Sequence, residues 1–287
     1  MPRLEPFVAL RYDPACPYPA HMALVDGYDV VLLDLDGVVF RGDDPIIGAG
    51  ATVERLRERG TRVGFVTNNA SRTPEQVVAK LASVGVVAHP EEIETSARTA
   101  AAVLAMRGVR RVYAIGQDGV LGALAEAGIE AVGLDAGPEV VLVGLDRGIT
   151  YAKLRDAGLA IQRGAALLAT NGDTTFPAED GLWPGAGAIL AAVVATTAVT
   201  PEVLGKPAPA IFRSALARVG GVHPLVVGDR LDTDIAGAAA LGWDCLLVLT
   251  GVHGRGDITD AGPHPTFVAA DLRALCDERA VVERLGA

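Results

Sequence analysis

The feature that most constrains this chain is Val30-Val31-Leu32-Leu33-Asp34-Leu35-Asp36-Gly37. Four successive apolar residues predict a strand buried on both faces, as in a parallel sheet covered by helices. That strand runs into two carboxylates two positions apart and then a glycine. Buried acid is costly unless a cation or hydrogen bonds compensate it. At the carboxyl end of a sheet strand, where open α/β folds bind ligands, the pair reads as a carboxylate–metal site.

The rest of the chain repeats the strand–helix alternation. Strands are expected at Asp29 to Asp36, Arg62 to Val66, Arg111 to Ile115, Val140 to Gly144, Ala166 to Thr170, Pro224 to Asp229 and Asp244 to Leu249. Helices are expected at Ala51 to Arg59, from Thr73 to about Val84, and at Thr95 to Met106, Val120 to Ala127, Tyr151 to Arg163, Pro209 to Val219 and Asp234 to Leu241. Thr73 suits an N-cap and Pro74 the first helical turn. The Gly/Pro cluster Gly181 to Gly187 predicts a loop. Repeated βα units imply an α/β fold: a mainly parallel sheet with helices on both faces. The middle block has its own strands, so it reads as an insert. The expected organisation is an irregular Pro-rich arm over 1–24, a core domain over 25–92 and 196–287, and an inserted α/β domain over 93–195.

Composition narrows the classes. A formal net charge of -10 argues against nucleic acid or an anionic membrane surface as partner. Three cysteines (Cys16, Cys245, Cys276) form no disulfide framework and fit a reducing cytoplasm. The N-terminus has no continuous apolar stretch, so no signal peptide is expected. The small-apolar run Gly185 to Val199 is too short to span a membrane. It reads as a packed helix, either in a domain junction or in a homodimer seam.

Four polar clusters fall at predicted strand ends or before a helix: Asp34-Leu35-Asp36-Gly37, Thr67-Asn68-Asn69, Gly205-Lys206-Pro207, and Gly228-Asp229-Arg230-Leu231-Asp232-Thr233-Asp234. Together they hold what phosphoryl transfer requires. One carboxylate serves as nucleophile and a second as general acid and base. A hydroxyl, an amide and a lysine neutralise phosphate oxygens. Further acids bind a hard divalent cation. Taken singly, the bland readings stand beside these. Thr67-Asn68-Asn69 alone is a turn, Lys206 a solvated loop lysine, Asp234 a helix N-cap, and Asp232 a surface residue. The five histidines show no ligand spacing.

In this order the clusters resemble the haloacid dehalogenase superfamily of phosphatases, over nearly all of Asp29 to Val252. The wording Thr67-Asn68-Asn69-Ala70-Ser71-Arg72 and Gly228 to Ile235 is similar to the type IIA branch with a large α/β (C2) cap. That branch contains p-nitrophenyl, phosphoglycolate and glycerol-3-phosphate phosphatases. Asp36 to Gly42 and Leu204 to Ala210 most resemble the actinobacterial glycerol-3-phosphate phosphatases. The resemblance implies a Rossmannoid three-layer αβα core with the insert as cap. It implies Asp34 as nucleophile forming an aspartyl-phosphate, and Asp36 as general acid and base. It implies Thr67, the Asn68 amide and Lys206 on the phosphate, with Asp34, Asp36 (through its carbonyl), Asp229 and Asp234 serving Mg²⁺. A cap loop at Thr170 to Pro177 is expected to read the leaving group through Asn171 and Asp173. Without the resemblance, that loop reads as an ordinary surface turn. Asp173 favours a neutral polyol over an acidic leaving group, hence glycerol 3-phosphate, so the expected partner is a small phosphorylated metabolite, beside a possible second copy of the chain. Three rivals remain at this level: a broader phosphatase acting on phosphoglycolate, nucleoside monophosphates or pyridoxal phosphate; a non-catalytic phosphate-ligand sensor; and an interaction scaffold.

Overall fold

The computed structural model describes residues 8–9, 23–178 and 180–285. Most of the expected arm, with Cys16 and His21, lies outside the described residues. Packing divides the chain into two compact units. The first comprises the described residues within 1–66, 80–92 and 215–287, and the second those within 67–79 and 93–214.

In the first unit the strands Val282–Arg284, Phe267–Ala269, Asp244–Val248, Pro224–Gly228, Val30–Leu33 and Arg62–Thr67 neighbour one another in that order. The last five are mutually parallel, and Val282–Arg284 is antiparallel to Phe267–Ala269. Val30 to Leu33 are wholly buried, as the unbroken apolar run requires. The register sets Leu33 opposite both Val227 and Phe65, so these strands end together at one edge. The strands after residue 260 carry weak patterns and were not expected. Nor was the short hairpin of Phe40–Arg41 with Asp44–Pro45.

The second unit has its own sheet, in the order Glu202–Val203, Ala166–Ala169, Val140–Val143, Arg111–Ile115, Glu130–Ala131, parallel throughout. Strand period two splits its core between the faces. Val140 and Leu142 pack with Val112, Leu168 and the helix Ser96–Met106. Val141 and Val143 pack with Ile115, Leu167 and the helices Tyr151–Gln162 and Ala186–Thr197. The expected limits 93–195 miss Glu202–Val203, whose pairing with Ala166–Ala169 extends this sheet by a strand.

Helix signals resolve as read at several ends. Thr73 and Gln76 exchange a capping-box pair of bonds, and Thr95 Oγ1 accepts from Arg98 N. The Gly/Pro cluster differs from expectation. Gly181–Pro184 is a strand, paired antiparallel with Thr175–Ala178, and the helix begins at Ala186. Pro184 ends its strand and Pro177 lies in a two-stranded ribbon, where an edge tolerates a missing donor. Among the described residues no helix is long and apolar enough to cross a membrane.

Candidate active site

In the first unit, parallel register gathers the acids. Asp34 follows Leu33, and its N–H donates to Val227 O at 2.9 Å. Asp229 follows the neighbouring strand, and Asp234 sits in the wide helical turn Leu231–Ile235. Each of these three side chains offers a carboxylate oxygen, all within 4.8 Å of one another. Asp229 and Asp234 are only 2% and 1% exposed. Three buried or half-buried carboxylates at this spacing repel strongly unless a cation shares them. Hard oxygen donors in a tight cluster fit a small divalent ion such as Mg²⁺.

Glycines make room for the cluster. A Cβ on Gly251 would lie 1.9 Å from Asp229 Oδ2, and one on Gly228 would lie 2.2 Å from Asp234 Cβ. Gly37 has φ +86°, and its Cβ would meet Asp229 Oδ2 at 2.4 Å. The Asp229 carboxylate accepts from Val252 N at 2.7 Å, and the Asp229 carbonyl accepts from His253 N at 3.1 Å. Asp234 Oδ2 accepts from Arg230 N and from Thr233 Oγ1, both at 3.3 Å. Asp234 therefore braces the start of its own turn from inside. Asp232 is an outer residue, paired bidentately with Arg230.

Asp36 lies two residues beyond Asp34, in the turn leading to Phe40. Desolvation in that turn raises its carboxyl pKa above the usual aspartate value. A hydrogen bond from the Gly42 backbone and the charges of Lys80 and Arg41 oppose the rise without cancelling it. The residue as a whole is exposed. A carboxyl shifted this way suits proton donation to a leaving alkoxide.

The second unit holds the neutral and cationic groups. Thr67 ends its strand buried, and its Oγ1 accepts from Asn69 N at 3.1 Å. Asn68 is the hub. Its Oδ1 accepts from Lys206 N at 2.7 Å, and its Nδ2 donates to Lys206 O at 3.1 Å and to Asp173 Oδ2 at 3.2 Å. Its carbonyl accepts from Ser96 Oγ and from Asn171 Nδ2, each at 2.7 Å. One residue thus ties the lysine's backbone to the loop that carries Asn171 and Asp173. Gly205 is required here, because a Cβ would lie 2.3 Å from Thr170 O and 2.5 Å from Asn68 Oδ1. Lys206 is 5% exposed, which excludes the solvated-lysine reading. Asn171 is buried, and its Oδ1 accepts from Asp173 N at 3.1 Å, so the loop is braced from within.

The structure thus brings Asp34, Asp229 and Asp234 together in one unit, and Asn68, Lys206, Asn171 and Asp173 together in the other. The sequence reading missed the Thr250-Gly251-Val252-His253 turn that holds Asp229. Its signal was a Thr-Gly pair after the strand Asp244–Val248. The reading also missed Ser96 and the Asn68 side chain, whose roles depend on contacts distant in sequence. His253, given no metal role, accepts through Nδ1 from Leu231 N at 3.0 Å and thereby fixes the acid turn.

Comparison with known proteins agrees with this architecture. Residues 31–130 match the family model of haloacid dehalogenase-like hydrolases, and residues 203–275 match a second model of haloacid dehalogenase-type hydrolases. The chain belongs to the haloacid dehalogenase-like hydrolases. It is 42% identical to a D-glycerol 3-phosphate phosphatase of Mycobacterium tuberculosis, over 88% of this chain and 72% of that protein. It is 39% identical to an acid sugar phosphatase of Staphylococcus aureus, over 88% of this chain and 98% of that one. The crystal structure of a glycerol phosphate phosphatase from Mycobacterium tuberculosis in complex with magnesium superposes with a TM-score of 0.84. That match is at 41% identity and covers 88% of this chain and 78% of that one.

Proposed function

We propose that this protein is a Mg²⁺-dependent phosphatase of small phosphate monoesters, with glycerol 3-phosphate as its substrate. The observation that carries the reading is the convergence of Asp34, Asp229 and Asp234 carboxylates within 4.8 Å in a family of hydrolases. Asp34 attacks phosphorus and takes the phosphoryl group as an aspartyl-phosphate. Asp36 protonates the departing alkoxide and then takes a proton from the water that cleaves the intermediate. Thr67, the Asn68 amide and Lys206 hold the phosphoryl oxygens as charge develops. Asp229, Asp234, Asp34 and the Asp36 carbonyl would hold Mg²⁺, which would offset the repulsion between carboxylate and phosphate.

The core-and-cap arrangement expected from the sequence belongs to the same reading, with the second unit's sheet serving as the cap. Asn171 and Asp173 present hydrogen-bonding groups to the leaving group. The D-glycerol 3-phosphate phosphatase and the acid sugar phosphatase among the relatives support a polyol-type alcohol. Retention of Asp34 and Asp36 speaks against a non-catalytic sensor. A cytoplasmic location fits the free, buried Cys245 and Cys276. Pairing of two copies through the helix Ala186–Thr197 fits its exposed Ala191, Ala192 and Ala195, and sedimentation tests it.

The experiment is phosphate release with Mg²⁺ from glycerol 3-phosphate, phosphoglycolate, nucleoside monophosphates, pyridoxal phosphate and p-nitrophenyl phosphate. The expected result is the highest kcat/KM on glycerol 3-phosphate and none in Asp34→Asn. A flat profile supports the broader phosphatase instead. Release by Asp34→Asn at the wild-type rate overturns the nucleophile.

A further inference from the structure

The turn that carries Asp36 is closed on itself by backbone bonds. Leu35 O accepts from Val38 N at 3.3 Å, Val39 N at 2.8 Å and Phe40 N at 3.2 Å. Gly37 N donates to Phe40 O at 2.7 Å. Val38 and Val39 are wholly buried, while Asp36 is exposed. These bonds fix the internal shape of the turn. Its placement against the neighbouring acids depends on contacts to a second segment.

Thr250 supplies those contacts. Its Oγ1 donates to the carbonyl of Gly37, the residue after Asp36, at 2.6 Å. A carbonyl has no proton to give, so the hydroxyl hydrogen is committed to this bond. The carbonyl of Thr250 in turn accepts from Arg41 Nε at 2.9 Å and from Arg41 Nη2. One residue thus joins both ends of the 37–41 segment, through its hydroxyl at the start and its carbonyl at the end. The next residue, Gly251, lies against the acid cluster, where a Cβ would fall 1.9 Å from Asp229 Oδ2. A Cβ on Gly37 would lie 2.4 Å from the same oxygen and 3.0 Å from Gly251 Cα. Val252 N donates to that oxygen at 2.7 Å. Gly37, Gly251 and Asp229 therefore meet with no room for a further side chain, and the Thr250 hydroxyl fastens that meeting.

We propose that Thr250 is a positioning residue for the general acid. Its hydroxyl holds the Asp36 turn against the Asp229 turn, at the separation that lets the Asp36 carboxyl reach the leaving oxygen. The inference rests on the phosphatase reading above, in which Asp36 gives that oxygen a proton as its bond to phosphorus breaks. Thr250 itself touches neither phosphorus nor the leaving group. Its loss is felt through Asp36, and so in proportion to the leaving group's need of a proton. The alkoxide of glycerol is strongly basic and needs one. The p-nitrophenolate ion is weakly basic and departs as the anion.

The test is kcat/KM with Mg²⁺ for glycerol 3-phosphate and for p-nitrophenyl phosphate, in wild type, Thr250→Val, Thr250→Ser and Asp36→Asn. This constant reports formation of the aspartyl-phosphate, the step in which the leaving group departs. Thr250→Val keeps the side-chain volume and loses the donor. The ratio of glycerol 3-phosphate to p-nitrophenyl phosphate should then fall about ten- to a hundredfold, as when a general acid is misplaced by about an ångström. Thr250→Ser keeps the donor and should restore most of the ratio. An equal loss on both esters, with or without a lowered Tm, would show that Thr250 only supports the fold and would overturn the proposal. A ratio as low in Thr250→Ser as in Thr250→Val would overturn it too. Should Thr250→Val fail to fold, Thr250→Ala carries the same expectation and the same refutation. Asp36→Asn separates the proposal from the reading beneath it. A lowered ratio there beside a normal one in Thr250→Val would overturn the positioning role alone. An unchanged ratio in Asp36→Asn would remove Asp36 as the acid, and the proposal with it. If the wild type releases phosphate from neither ester, the phosphatase reading itself fails and the proposal falls with it.

Discussion

Asn68→Asp is the most discriminating single change, because it preserves shape and inverts two hydrogen bonds. In the wild type, Asn68 Nδ2 donates to Asp173 Oδ2 at 3.2 Å and to Lys206 O at 3.1 Å, while Oδ1 accepts from Lys206 N at 2.7 Å. The substitution keeps the third bond and sets an oxygen against two acceptors. Two carboxylates at that separation repel by on the order of 5 kcal/mol at an effective dielectric constant near 20. The strain is relieved by loop movement or by a proton shared between the two acids. Either response disturbs the Lys206 backbone or the Asp173 loop. Turnover of glycerol 3-phosphate at pH 7 should therefore fall at least about a hundredfold, a loss of roughly 3 kcal/mol. The sign with pH follows from the repulsion, which raises the pKa of the pair. Proton uptake then restores a donor between the acids, so the mutant-to-wild-type ratio should rise as pH falls towards 5. The assay is kcat and KM across pH 5 to 8, with circular dichroism to confirm folding. A ratio near one at pH 7, or one flat with pH, would refute the claim that Asn68 holds the lysine and the loop in register. Asn68→Ala serves as the control. It removes the acceptor of a buried Lys206 N–H, which costs about 1–3 kcal/mol of stability at any pH.

Other consequences are equally direct. Gly251→Ala places a Cβ 1.9 Å from Asp229 Oδ2, so the acid cluster must open. The Mg²⁺ concentration for half-maximal activity should rise at least about tenfold, as expected when a ligand's support is lost, and a normal Mg²⁺ titration would contradict the assignment. Chelation with EDTA should stop phosphate release and added Mg²⁺ should restore it, whereas continued turnover in chelator would remove the metal from the mechanism. Asp29 accepts from Val222 N and His223 N at 2.8–3.1 Å. Desolvation works to raise its pKa, but these bonds and the His223 charge outweigh it and hold the carboxyl below 3.8. The stabilisation is thus present above the unfolded-state value and lost as pH falls through the folded one. Because these bonds are solvent-exposed, Asp29→Ala should cost at most about 1 kcal/mol in urea unfolding at pH 7, with the difference shrinking below pH 4. Cys245 is buried, and desolvation pushes its thiol up to about 11. It should react with a thiol reagent only after unfolding, and prompt labelling of the native protein at that position would contradict its burial.

The chain's order of residues determined the βα alternation, the acid pair after Leu33 and the later acid turn. Those signals are local: an apolar run buries a strand, and a Gly-flanked acid after it ends up at the sheet edge. Thr73 and Thr95 likewise announced their helices through bonds spanning three residues. Tertiary structure decided what depends on register and on partners far apart in sequence. Parallel pairing of Leu33 with Val227 puts Asp34 beside Asp229, nearly two hundred positions away. Asn68 meets Lys206 across 138 positions and Asp173 across 105. Glu202–Val203 joins a sheet although a two-residue strand has too little pattern to declare itself. The Arg147 guanidinium, which sits over the rings of Phe176 and Trp183, follows the same rule. Neither an exposed arginine nor a Gly/Pro-rich hairpin signals the other in sequence, and only the fold sets the guanidinium on the two rings.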